Sequence, residues 1–193
     1  MYKKEMITIE NEEKNTQQSI LRKHFEMLYP DKLKDDEWIR LVGIRKDETG
    51  NPESTLVKFV KTYEEYEEFV FKYRYTYDLY NQIATNKGNE NARSQRCRKV
   101  LYMDFDQKDY PNITDAEQFT ELIKSKIPKL FLIACVNSGH GYHFYISIKQ
   151  SCRISEVVKL NKEIVRIVGA DPKAASSAQI ARIPCTYNHK QND

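Results

Sequence analysis

The chain has 193 residues, of which 40% are hydrophobic and 31% charged, and its net charge is +3. This length suits one full domain, or a domain with a small appendage, and is enough to bury a core without staples. The lack of any apolar run of 18 residues excludes a membrane-spanning helix, and a charge so near neutrality does not argue for nucleic acid by itself. The polar start Met1-Tyr2-Lys3-Lys4-Glu5 does not read as a secretory signal. Cys97, Cys135, Cys152 and Cys185 form no CxxC pair, so neither a zinc finger nor a disulfide scaffold is expected. Reduced thiols and a cytoplasmic location are the default.

Ile20 to Tyr29 has the spacing of a short amphipathic helix that ends at Pro30. Trp38–Ile44 and Thr55–Val60 read as strands, separated by a Gly50-Asn51-Pro52 turn. A helix is expected from Thr62 to about Gln82, with Tyr63, Tyr66, Phe69, Val70, Tyr73 and Tyr77 on one face and its glutamates near the start. Residues 85–94 form a polar loop that leads into the basic cluster Arg93, Arg96, Arg98 and Lys99. Val100–Asp106 is a buried strand that finishes in carboxylates. Thr114–Lys126 is helical with Thr114 as its cap. Leu130–Val136 and Tyr142–Ile148 form a hairpin around Asn137–Gly141. Ser155–Val168 is an amphipathic helix stopped by Gly169, and Ala178–Ile183 is a last short strand. The fold class is therefore α+β. Residues 99–193 form a βαββαβ module like the RNA-recognition motif, an antiparallel sheet with helices on one face and the other left open. Residues 1–98 form an N-terminal α/β part packed on it, all within one compact domain.

Four segments carry chemistry. Asp104 and Asp106 alternate with Phe105 and so share one strand face. Two carboxylates about 6–7 Å apart along a strand repel each other, and a hard cation such as Mg²⁺ or Mn²⁺ removes that cost. The bland reading is a solvated strand end. In Ser138-Gly139-His140-Gly141-Tyr142-His143 the glycines let backbone N–H groups approach an anion, Ser138 adds a donor and His143 can donate to a phosphate. The same segment also reads as an ordinary hairpin turn. Asp171 lies between a helix and a strand and, alone, is a turn acid. Arg182 and Lys190 flank Ile183-Pro184-Cys185-Thr186-Tyr187-Asn188-His189 and can bind phosphates, Arg through its fork and Lys as a point charge, or else line a basic surface strand.

Together and in this order, the four segments resemble the catalytic core of the archaeo-eukaryotic primase superfamily. The likeness is to primase–polymerases of plasmids and mobile elements and to those associated with CRISPR loci. It covers roughly residues 95–190, and Cys185 stands where the family commonly has glycine. The resemblance implies a template-dependent nucleotidyltransferase that makes primers de novo on single-stranded DNA, and extends them, by a two-metal mechanism. Asp104, Asp106 and Asp171 would hold two Mg²⁺ or Mn²⁺ ions. Ser138, Gly139, His143, Arg182 and Lys190 would bind the incoming NTP or dNTP, and Arg93, Arg96, Arg98 and Lys99 the template. A fused or associated helicase or helical-bundle domain is a further implied partner, with no membrane involvement. The competing readings are a non-catalytic single-strand-binding module on the same kind of sheet and a nuclease using the same carboxylates.

Overall fold

The computed structural model describes residues 7–9, 14–88, 95–148 and 154–189. Among them, one sheet has the order β1-β8-β9-β7 and a second has the order β10-β4-β2-β5-β6, with β3 also pairing β2. The strands are β1 (Ile7–Ile9), β2 (Glu37–Lys46), β3 (Pro52–Val60), β4 (Asp78–Gln82), β5 (Thr85–Lys87), β6 (Gln95–Cys97), β7 (Val100–Asp106), β8 (Leu132–Asn137), β9 (Gly141–Ser147) and β10 (Ile180–Arg182). The helices are α1 (Lys14–Leu28), α2 (Tyr63–Tyr73), α3 (Ala116–Lys126) and α4 (Ile154–Val168).

The expected α+β class holds, with three differences in detail. First, α2 starts where the sequence places it. Thr62 accepts from the Glu65 amide and Glu65 accepts from the Thr62 amide, a reciprocal cap that satisfies two otherwise orphaned donors. It ends at Tyr73, however, and Asp78–Gln82 becomes β4, because Leu79 and Asn81 are needed inside the second sheet. Second, Asp115 rather than Thr114 caps α3, its side chain accepting from the Gln118 amide at 2.9 Å. Third, the final strand does not complete the sheet that carries β7. It crosses to pair antiparallel with β4, where Ala181 and Ile183 enter the core shared with α1 and α2. The fourth position in the β7 sheet goes to β1, which runs parallel to β8.

Alternation along β7 divides the interior. Leu101, Met103 and Phe105 face α3 and α4, packing with Phe119, Ile123, Phe144, Val157 and Val165. Val100 and Tyr102 point the other way, into a core with Tyr66 and Leu21 from the first two helices, and with Tyr145. The sheet face expected to lie open is therefore largely covered. His24 of α1 meets Tyr145 edge-on at 5.9 Å, and Tyr102 and Tyr145 are fully buried. Burial of His24 holds its imidazole down to about 3, so it stays neutral inside the core. Only the end of that face, at Asp104 and Asp106, is left accessible.

β7 is an edge strand, and α4 closes part of its edge with one side chain. Asn161 is fully buried. Its Oδ1 accepts from the Tyr102 amide at 2.7 Å and its Nδ2 donates to the Tyr102 carbonyl at 2.9 Å. A buried edge without partners is costly, and an amide presents both a donor and an acceptor where the strand needs them. Asn161→Ala strands both groups and should lower unfolding free energy by about 3 kcal/mol in urea titration. A loss below about 1 kcal/mol would show that the edge is satisfied otherwise.

Candidate active site

The register of β7 on β9 brings Asp104 opposite His143 and Asp106 opposite Gly141. His143 Nε2 lies 3.6 Å from Asp104 Oδ1, with the imidazole almost fully buried and the carboxylate about one-third exposed. Tyr102, two residues back on the same face, donates its hydroxyl to Asp104. Burial first, and then the Asp104 charge, raises that hydroxyl well above its ordinary range, so it remains a donor. Gly141 has a steric reason: a Cβ there would sit 1.9 Å from the Phe105 carbonyl oxygen. The hairpin can approach β7 this closely only without a side chain.

Asp171 reaches the same place from far along the chain. Its backbone amide donates to the Asp104 carbonyl at 2.8 Å, fastening the loop after α4 to β7. Its carboxylate accepts from the Lys173 amide at 2.9 Å. Asp104, Asp106, Asp171 and His143 line one cavity of about 200 Å³, together with Tyr80, Tyr102, Ser138, His140, Ile180, Arg182 and Asn188. Asp106 also pairs with the exposed Lys108 ammonium at 2.9 Å. Among the described residues no three carboxylate, thiol or imidazole groups are gathered as a ready-made metal cluster. The donor chemistry is nevertheless that of a hard-cation site: three carboxylates on one polar cavity, and none of them tied to a buried cation. These residues fit a divalent ion.

Arg182 is placed differently from what its sequence position suggests. It is 6% exposed, and its guanidinium is occupied by the protein. Nη1 donates to Asp78 Oδ1 at 3.2 Å and to the Tyr187 carbonyl at 3.0 Å, and Nη2 donates to the Tyr80 hydroxyl and to Asn188 Oδ1, both at 3.0 Å. The fork that the sequence assigns to phosphate thus organises the wall of the cavity. Asp78 is the centre of this arrangement and carried no signal in the sequence. It is fully buried, accepts from the His189 amide at 2.8 Å, and lies 3.9 Å from the Lys46 ammonium. Asn188 extends the wall by donating to the Ser138 carbonyl at 3.0 Å. Cys185 adopts φ of 60°, the left-handed conformation that favours glycine, so the backbone turn persists without the family's residue.

The remaining predicted residues divide by position. Ser138 and Gly139 form the hairpin turn beside the cavity, where the Ser138 hydroxyl donates to the Gly141 carbonyl at 3.1 Å and the Gly139 amide to Asn137 Oδ1 at 2.8 Å. Lys190 and Arg93 lie outside the described residues, and Arg96 is placed only as part of β6. Arg98 does not face solvent, which corrects its assignment to the template. It is 1% exposed, donates to the Val100 carbonyl at 2.8 Å, and burial lowers its guanidinium to about 10. Its role is to satisfy interior carbonyls. Lys99 is partly exposed and paired with Asp31 at 2.6 Å.

No protein-family model and no curated protein matches the sequence. Solved structures do resemble it. The AEP domain of the cyanophage S-2L primase-polymerase superposes with a TM-score of 0.60 at 12% identity, covering 86% of this chain and 80% of that one. Primase RepB' gives 0.61 at 12% identity over 92% of this chain, which spans about half (52%) of that protein. The catalytic domain of primase RepB' in complex with initiator DNA gives 0.57, also at 12% identity, over 88% of this chain and 77% of the other. The chain thus has the fold of primase catalytic domains, in agreement with the resemblance carried by its four segments.

The buried pair makes a direct prediction. Asp78→Ala leaves the Arg182 charge enclosed without a counter-ion and should cost about 3–5 kcal/mol of unfolding free energy. A variant as stable as the parent in denaturant titration would contradict the pairing.

Proposed function

We propose that this chain is a template-dependent nucleotidyltransferase that makes primers on single-stranded DNA and extends them. The observation that carries the reading is the meeting of Asp104 and Asp106 with Asp171, some 65 residues further on, around one cavity beside His143. A turn acid has no structural need to be there. The fold shared with primase catalytic domains supports the same reading.

Asp104, Asp106 and Asp171 would hold two divalent ions, Mg²⁺ or Mn²⁺. When bound, these supply charge neutralisation at the triphosphate and lower the pKa of the attacking hydroxyl. A cation entering there displaces the ammonium of Lys108, a side chain 75% exposed and easily moved. In the reaction the 3′-hydroxyl oxygen of one nucleotide attacks the α-phosphorus of an NTP or dNTP. A new P–O bond forms, the bond to the β-phosphate breaks, pyrophosphate leaves, and the hydroxyl proton passes to solvent. The work of the protein is positioning and electrostatics. His143, oriented by Asp104, donates to a phosphate oxygen. The Ser138–Gly139 turn shapes the floor beneath the phosphates. Arg182 contributes positive charge from within the wall, and Lys190 follows it on the same tail. Arg93, Arg96 and Lys99 stand as template contacts, since backbone phosphates reward any exposed cation along the strand's path.

The alternative of a base-stacking single-strand-binding module fits the structure less well. Such modules stack bases on exposed strand aromatics, whereas Tyr102 and Tyr145 are buried under α1 and the accessible end of the face bears carboxylates.

Asp104→Ala, and the Asp104→Ala/Asp106→Ala pair, should reduce Mg²⁺- or Mn²⁺-dependent primer synthesis on single-stranded DNA by about a hundredfold or more. Both should unfold at the parent's temperature to within a few degrees. Undiminished synthesis by a folded variant would overturn the assigned site.

A further inference from the structure

Starting a chain from nothing makes a demand that extending one does not. Two nucleotides must be held at once, one to give the hydroxyl and one the triphosphate. The cavity at the carboxylates, about 200 Å³, falls below the roughly 300–1,000 Å³ usual for small-molecule sites. A second cavity of about 560 Å³ adjoins it. Ser138, Arg182 and Asn188 line both and form the partition. That partition is built from fixed parts, since Asn188 bonds Arg182 on one side and the Ser138 carbonyl on the other.

The two cavities are opposite in charge. Three aspartates line the first, whereas the second contains Arg74 and Arg182 and no carboxylate. Such a lining favours an anion. It also holds two aromatic rings in water: Tyr75 is 60% exposed and Tyr187 57%, with ring centroids 5.1 Å apart and planes tilted by 47°. Large aromatic surfaces usually turn inward unless a ligand uses them. Arg74 is fastened beside them. Its guanidinium lies 4.6 Å from the Tyr75 ring centroid, and it donates to the Tyr75 hydroxyl and to Gln17 Oε1, each at 2.7 Å. A fixed cation next to a ring platform matches a ligand that is flat and aromatic at one end and anionic at the other.

We propose that the second cavity holds the initiating nucleotide, a nucleoside triphosphate whose base stacks on Tyr75 and Tyr187 and whose phosphates face Arg74. This rests on the polymerase reading and adds to it a site that the carboxylates do not form. A preformed primer is gripped through its template along many nucleotides, whereas a lone initiating nucleotide has only the protein. The site therefore serves initiation more than extension.

The test uses the full chain with Asp104→Asn, in EDTA, titrated with ATP by calorimetry. Without divalent ions the aspartate cavity repels a triphosphate, so binding reports the second cavity. One equivalent of ATP is expected to bind. Adding Tyr75→Ala and Tyr187→Ala should weaken it by about tenfold, while Tyr75→Phe with Tyr187→Phe retains it. Both rings are at the surface, so these variants should keep the parent's circular dichroism. No binding in EDTA, or equal affinity in the alanine variant, overturns the site. In synthesis assays the alanine pair should lower the ratio of de novo initiation to primer extension by about tenfold, and an unchanged ratio also overturns it. A parent protein that neither primes nor extends defeats the polymerase reading instead, even if ATP binding remains sensitive to the two tyrosines.

Discussion

The pairing register of β7 against β9 is the constraint on which the site depends. Side chains on a strand alternate, so a slip of one residue would turn Asp104 and Asp106 into the core and bring Met103 and Phe105 to the cavity. Two features prevent that slip. Met103, Phe105 and Phe144 bury themselves against α3 and α4, and Gly141 packs against the β7 backbone where no other residue fits. With the register set, His143 lies opposite Asp104, and the Asp104 carbonyl can take the amide of Asp171. Burial on one face thus dictates chemistry on the other.

Much of this was legible in the sequence. The hydrophobic run Val100–Met103 before Asp104 signals a buried strand with acids at its rim, and alternation alone places Asp104 and Asp106 together. The Asn137–Gly141 turn and the α4 amphipathicity are equally local, and the structure has both. What was not legible depends on contacts between distant segments. Tyr77 continues a helical spacing, yet the chain leaves the helix because Asp78–Gln82 is needed as a strand between β2 and β10. No local pattern marks Asp78 as the counter-ion of Arg182, 104 residues away. Nor does a basic cluster reveal which of its members turns inward, as Arg98 does.

These long-range polar links also tie the two halves of the chain together. α1, α2 and the second sheet close over the β7 sheet and share one core with it, leaving open only the end that carries the carboxylates. Asp78 and Arg182 then join the second sheet to the 187–189 tail, so the second sheet itself supplies a wall of the cavity. A covered sheet with a polar notch at one end suits chemistry on a bound phosphate better than broad stacking of bases.

The central claim is that Asp104, Asp106 and Asp171 form a divalent-cation site, and metal location tests it most directly. Crystals of the unmodified chain soaked with Mn²⁺ and a non-hydrolysable nucleotide, measured at the manganese edge, should give anomalous density between these three carboxylates. Manganese density absent there, or held only by other side chains, would contradict the account.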